Sequence, residues 1–298
     1  MSRPLRIEYP GALYHVTSRG IARDIIYHDD ADRRAFLSCI SRAVDRYTLV
    51  VHAYCLMGNH YHLLVETPNS NLSLALRHLN GLFARHYNRR YKRVGPVFQG
   101  RFKASLVERD AYLLALCRYV VLNPVKARLA LHPRDWRWSS YRATAGMDPR
   151  PDWLTTDWIL SVLSPGDAAR AQAVYRDFIE GGMTPEEQDR ISDAFVERLI
   201  IGTEAFIASI RERMKGSPPP AAVRRPDRAQ VRPPLADLLP PGLPLAERNR
   251  RILEAHRGHG YTQQSIAAHL GLHFAYISRL VRAAEISNKE NDHAVGTV

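Results

Sequence analysis

The sequence predicts an α+β fold: a ferredoxin-like four-stranded antiparallel sheet with helices on one face, followed by an all-α C-terminal region. Three observations predict it. Segments of strand-like and helix-like period follow one another in the order β-α-β-β-α-β-α through the first half of the chain, the order such a sheet requires. Residues 216–245 hold nine of the 19 prolines and interrupt all periodicity. Beyond them only helical patterns occur.

The elements are justified in turn. "ALYHVTSRG" (12–20) is β-branched and aromatic and stops at Gly20, as a strand does. Asp29-Asp30 caps a helix to about Tyr47, whose apolar residues Phe36, Leu37, Ile40, Ala43 and Val44 share one face. "TLVVHAYCLM" and "YHLLVET" are two strands joined at the turn-forming Gly58-Asn59. Asn71 caps a second helix with the stripe Leu72, Ala75, Leu76, Leu79, Leu82, Phe83 and Tyr87. "RFKASLVE" (101–108) is the fourth strand, and Asp110 begins a helix ending near Asn123-Pro124. In this layout the third strand is central.

The chain therefore divides into a first domain over 1–150, a helical connector over 151–215, a Pro-rich linker over 216–245, a helix-turn-helix over 246–285 and a disordered tail over 286–298. In the helix-turn-helix, Thr262 caps a helix through His269, Gly271 makes the turn, and a second helix runs from about His273. Ala267, Gly271 and Ile277 supply the small, permissive and apolar residues that the motif needs. His273, Tyr276 and Arg279 are the expected contacts to duplex DNA in the major groove.

Composition narrows the partners. The net charge of +12 points to a polyanion, and residues 1–150 carry 24 Lys and Arg against 11 acids, whereas 151–200 carry 4 against 10. The ligand surface is thus expected in the first domain. Cys39, Cys55 and Cys117 form no C-x-x-C pair and read as buried thiols. The N-terminus does not resemble a signal peptide and no apolar run suits a membrane, so the expectation is a cytoplasmic protein.

Three clusters carry chemistry. His60-Tyr61-His62 places two imidazoles on one face of a strand, where they can hold one divalent metal; an ordinary polar strand edge is the plainer alternative. Tyr112 and Tyr119 lie on roughly one face of the following helix, with Asn123 four residues beyond Tyr119. A phenol with an ordinary pKa near 10 attacks a phosphodiester only if a metal polarises the electrophile, and two His with one amide oxygen leave coordination positions open for phosphate. Arg85, Arg89, Arg90, Lys92, Arg93, Arg101 and Lys103 span a stretch with no acid, interleaved with Tyr87, Tyr91, Phe98 and Phe102. Basic groups that track phosphates beside aromatic faces that stack on bases suit single-stranded nucleic acid.

"RPLRIEYPGALYHVTSRG", "MGNHYHLLVETP", "VGPVFQGRFKASLVE" and "RYVVLNPVKARL", followed by "WRWSSYRA", resemble the REP-associated tyrosine transposases, a group of single-tyrosine HUH transposases. The resemblance covers about the first half of the chain. It implies that His60 and His62 are metal ligands, that Asn123 is a third, polar one, and that Tyr119 is the nucleophile. It further implies Mg²⁺ or Mn²⁺ as cofactor and single-stranded DNA beside hairpins of repetitive extragenic palindromes as substrate, cut through a 5′-phosphotyrosine. Met57-Gly58-Asn59 departs from the family, which often has Pro in place of Gly. The C-terminal helix-turn-helix resembles an appendage of larger members. Either a monomer or a homodimer is compatible with this reading. Two other readings are a non-catalytic DNA-binding regulator with a hairpin-reading first domain, and a metal phosphodiesterase that uses water.

Overall fold

A computed structural model describes residues 6–184, 186, 187, 189, 195, 198–214 and 230–295, in two compact units, Arg6–Thr203 and Glu204–Val298. Arg3–Leu5 of the first matching stretch, residues 216–229 of the Pro-rich segment and residues 296–298 lie outside the described residues.

The first unit is built from β1 (Ala12–Arg19), α1 (Asp30–Tyr47), β2 (Val50–Leu56), β3 (His60–Thr67), α2 (Leu72–Arg90), β4 (Lys103–Val107) and α3 (Arg109–Lys126). The sheet order is β2-β3-β1-β4, all antiparallel, so the strand with the two His is central as expected. Asp29 caps α1 by accepting from Ala31 and Asp32 N–H. Asn71 sits at the start of α2 but turns its amide to the Tyr47 carbonyl, and Glu8 accepts from the Ser73 N–H instead.

Register and alternation sort the side chains. Tyr14, Val16, Tyr61, Leu63 and Val65 face α1 and α2, where Phe36 packs 4.7 Å from Tyr61 and 5.1 Å from Phe83, ring centre to ring centre. Leu13, Ala53, Cys55, Leu64 and Val107 face the other way and join Leu113, Leu116, Cys117 and Val120 of α3 in one buried cluster. Helices thus cover both faces. The one-face expectation describes α1 and α2 alone, because α3 is apolar nearly all round and needs cover on both sides.

That cover comes from the segment expected to be a connector. After α3, α4 (Asp157–Leu163) and α5 (Ala168–Glu180) place Ile159, Tyr175 and Ile179 in the same cluster. A two-residue strand, β5 (Ile200–Ile201), then pairs parallel to β4 as a fifth strand. On the opposite edge, β2 is bridged by Leu154 and Ser139. Residues 151–203 therefore complete the first unit rather than link it to the next.

α3 also continues past Pro124 to Lys126. Proline lacks the N–H that would bond the Val120 carbonyl. The Asn123 side-chain amide compensates, donating to Tyr119 O at 2.8 Å and to Val120 O at 3.4 Å.

The second unit is helical: α6 (Glu204–Arg213), a single turn at Leu235–Leu238, α7 (Leu245–Arg257), α8 (Gln263–Leu270) and α9 (Phe274–Val295). Thr262 accepts from Ser265 N–H, Gly271 takes φ +62°, and Ala267 and Ile277 are buried, all at the expected positions. Two boundaries differ from expectation. Val231 and Leu239 are buried, and Tyr261 donates to the Pro233 carbonyl at 2.7 Å, so the end of the Pro-rich segment is folded. The segment from residue 286, expected as a tail, extends α9 to Val295. Among the described residues no helix is long and apolar enough to cross a membrane.

Candidate active site

β1, β3 and α3 bring the expected catalytic residues together. His62 stands opposite Thr17 and His60 opposite Arg19 in the β1–β3 register, which puts His60, His62, His15, Thr17 and Arg19 on the α3 face. The Tyr119 ring packs edge-on against His62 at 5.8 Å and against His15 at 5.6 Å. Its remaining ring neighbour is Phe195 at 5.8 Å. Tyr112 also meets Phe195, at 6.1 Å, but its ring contacts neither His. Of the two tyrosines, Tyr119 is the one placed at the imidazoles.

The protonation of His60 follows from its partners. The Asn59 amide nitrogen donates to the Arg23 carbonyl at 2.8 Å, which turns Asn59 Oδ1 toward His60 Nδ1 at 2.7 Å. An amide oxygen only accepts, so Nδ1 carries the proton and Nε2 keeps its lone pair. The loop that aims Arg23 is tight. Ala22 and Arg23 take φ +52° and +65°, and a Cβ on Gly20 would come within 2.2 Å of the Asp24 carbonyl oxygen.

His62 is buried, with Nδ1 3.0 Å from His15 Nε2 and with Nε2 lacking any hydrogen-bond partner. Burial, reinforced by Arg19, lowers the pKa of His60 to about 4. Burial, then the neighbouring His15, His60 and Arg19, takes His62 well below its ordinary value. Both imidazoles are therefore neutral at neutral pH, the form that binds a metal. Burial raises the Tyr119 phenol.

These residues fit a divalent ion. The buried, unpartnered Nε2 of His62 suits a cation, and the proton on His60 Nδ1 leaves a lone pair on His60 Nε2 as well. Asn123 commits its side-chain nitrogen to its own helix, which leaves Oδ1 as its acceptor atom. Among the described residues no group of three or more His, Cys, Asp or Glu forms a metal cluster.

The basic stretch is divided by the fold. Lys103 pairs with Thr17 and so lies on the His face of the sheet. Arg85 and Arg89 lie on the other layer, where with Arg42 and His86 they line a groove of about 630 Å³ between α1 and α2. Arg90 pairs with Asp29 and with the buried Asp32. Arg93 leans on Tyr87, Lys92 occupies a left-handed turn at φ +50°, and Arg101 is exposed. Of the four interleaved aromatics, Tyr87, Phe98 and Phe102 are buried in the core, whereas Tyr91 is partly exposed and donates to Asp32. In the second unit, His273 Nδ1 accepts from Ala275 N–H and Tyr276 donates to Asn249, while Arg279 is exposed and Phe274 is 50% exposed.

Sequence reasoning missed His15, Arg19, Asn59 and Phe195. The alternation Leu13, His15, Thr17, Arg19 in the first strand is a signal that could have found two of them. Arg19 is exposed beside His60, and among the described residues its side chain makes no hydrogen bond or ion pair.

Residues 9–123 match the family described as "Transposase IS200 like". A Haemophilus influenzae protein named a REP-associated tyrosine transposase is 28% identical over 130 residues, 40% of this chain and 74% of that one. A solved structure of a REP-associated tyrosine transposase bound to a REP hairpin is similar with a TM-score of 0.45 and 16% identity, over 52% of this chain and 92% of that one. Tyr119 and His62 both lie inside the segment, residues 9–123, that is similar to the IS200-like transposases.

Proposed function

We propose that the protein nicks and rejoins single-stranded DNA beside hairpins of repetitive extragenic palindromes through a covalent tyrosyl intermediate. The observation that carries this reading is the contact of the Tyr119 ring with His62, whose buried Nε2 has no partner. The Tyr119 oxygen attacks phosphorus, the P–O3′ bond breaks, and the departing oxygen takes up a proton to become a free 3′-OH. The 5′-phosphate stays on the tyrosine. Attack by a 3′-OH on that phosphotyrosine reverses the step and joins strands without ATP. His60, His62 and Asn123 would hold Mg²⁺ or Mn²⁺, which when bound offsets charge on a non-bridging phosphate oxygen. Because burial holds the phenol protonated, its proton must leave as the bond to phosphorus forms.

The hairpin assignment rests on the family resemblance and on the name of the Haemophilus relative. A labelled single strand carrying a palindrome from beside the gene, incubated with Mg²⁺ or Mn²⁺, should give a protein–DNA adduct on a denaturing gel, and EDTA should abolish it. Turnover without adduct would establish the water-using phosphodiesterase instead. Tight, metal-independent duplex binding without cleavage would establish the regulator.

Arg19 and Lys103 flank the His face and are positioned for phosphates of the cut strand. Replacing either with Ala should lower hairpin affinity and reduce the slope of log affinity against log salt by about 0.7. An unchanged slope in both variants would remove them from the DNA path. Arg279→Ala should weaken retention on duplex DNA while leaving the hairpin slope intact, as two separate DNA contacts require.

A further inference from the structure

His15 has no part in the reading above, yet it is the hydrogen-bond partner of His62. The two rings are close to parallel, 7° apart with centres 5.3 Å apart, and joined from His15 Nε2 to His62 Nδ1 at 3.0 Å. Only one proton can occupy that bond. If His15 donated it, His62 would carry its own proton on Nε2, and that N–H would be a buried donor without an acceptor, at a cost of about 1–3 kcal/mol. If His62 donates it, Nε2 holds a lone pair instead.

We propose that His15 is a positioning residue, one that accepts the Nδ1 proton of His62 and so fixes the Nε2 lone pair of His62 toward the cation. His60 obtains the same tautomer by a different route, through Asn59. The two ligands are thus oriented from two sides, one by a hairpin amide and one by the neighbouring strand. Backbone pairing holds the His15 contact in place: His15 lies opposite Leu64 and His62 opposite Thr17, so the imidazoles are diagonal neighbours across a ladder paired along its whole length. A ligand set oriented in this way is bound more tightly than one free to rotate or change tautomer.

The proposal rests on the metal reading for its purpose but not for its geometry, and the test separates the two. In the metal-free full-length protein, ¹⁵N-resolved imidazole spectra should show His62 as the Nδ1–H tautomer; an Nε2–H tautomer would overturn the proposal. Mn²⁺ affinity, measured by titration calorimetry, should fall about 10- to 100-fold in His15→Leu. His15→Gln, which can present an amide oxygen near the same point, should recover most of the loss. Equal affinity in wild type and His15→Leu would overturn the proposal, as would a Gln variant no better than Leu at matched thermal stability. Failure of the wild type to bind Mn²⁺ would defeat the metal reading, leaving the tautomer measurement to decide the role of His15.

Discussion

Tyr119→Phe should fold normally and form no covalent adduct with hairpin DNA. The variant loses one oxygen and keeps the ring, and the ring makes the contacts with His15, His62 and Phe195. Stability should therefore change by less than about 1 kcal/mol, since the phenol oxygen makes no hydrogen bond with the described residues. DNA affinity and Mn²⁺ binding should persist, because the basic side chains and imidazoles are untouched. Gel analysis of labelled hairpin with the variant checks the outcome. A surviving adduct would move the nucleophile to another residue, with Tyr112 first, although its ring lies against Phe195 and not the imidazoles.

Tyr61→Ala should cost about 3–5 kcal/mol of stability, the range for deleting a buried aromatic ring. Tyr61 is fully buried, between His60 and His62 in sequence but on the opposite face of β3. There it packs on Phe36 at 4.7 Å and Phe98 at 6.1 Å and donates to Asn80 at 2.8 Å. Removal opens a cavity under the central strand and strands the Asn80 oxygen. Thermal denaturation should show a fall of roughly 10 °C in the melting point of the first unit. Mn²⁺ affinity of the fraction still folded should fall as well, since β3 carries both His60 and His62. Tyr61→Phe, which keeps the packing, should lose only the hydroxyl bond, about 1 kcal/mol. Equal stability of the Ala variant and wild type would contradict the packing described.

The strands, α1, α2 and the central placement of the two His were legible because period, turn residues and element order all agree there. Tyr119 was legible as a helical residue ahead of a proline, but its approach to His62 depends on α3 crossing the far face of the sheet. No local pattern encodes that crossing. β5 is two residues long, and the short helices over 151–180 show their purpose only once α3 is seen to need covering. Arg90 looked like its basic neighbours because the acids that engage it, Asp29 and Asp32, are about sixty residues away in sequence. Phe98 and Phe102 misled for a related reason: alternation of basic and aromatic residues describes a base-stacking surface and a basic rim over a core equally well. His15 went unnoticed because a lone His in an apolar strand reads as core, and its meaning comes from a residue 47 positions away.

The ends of the sheet bear on how two copies could meet. A strand edge with free N–H and C=O groups invites a second chain to add on. Here one border is held by Ser139 and Leu154, and the other is finished by a strand only two residues long. A continuous sheet running through two subunits is therefore disfavoured. A pairing made instead by side chains on helices and loops would be abolished by surface substitutions that leave the sheet, and the site upon it, intact.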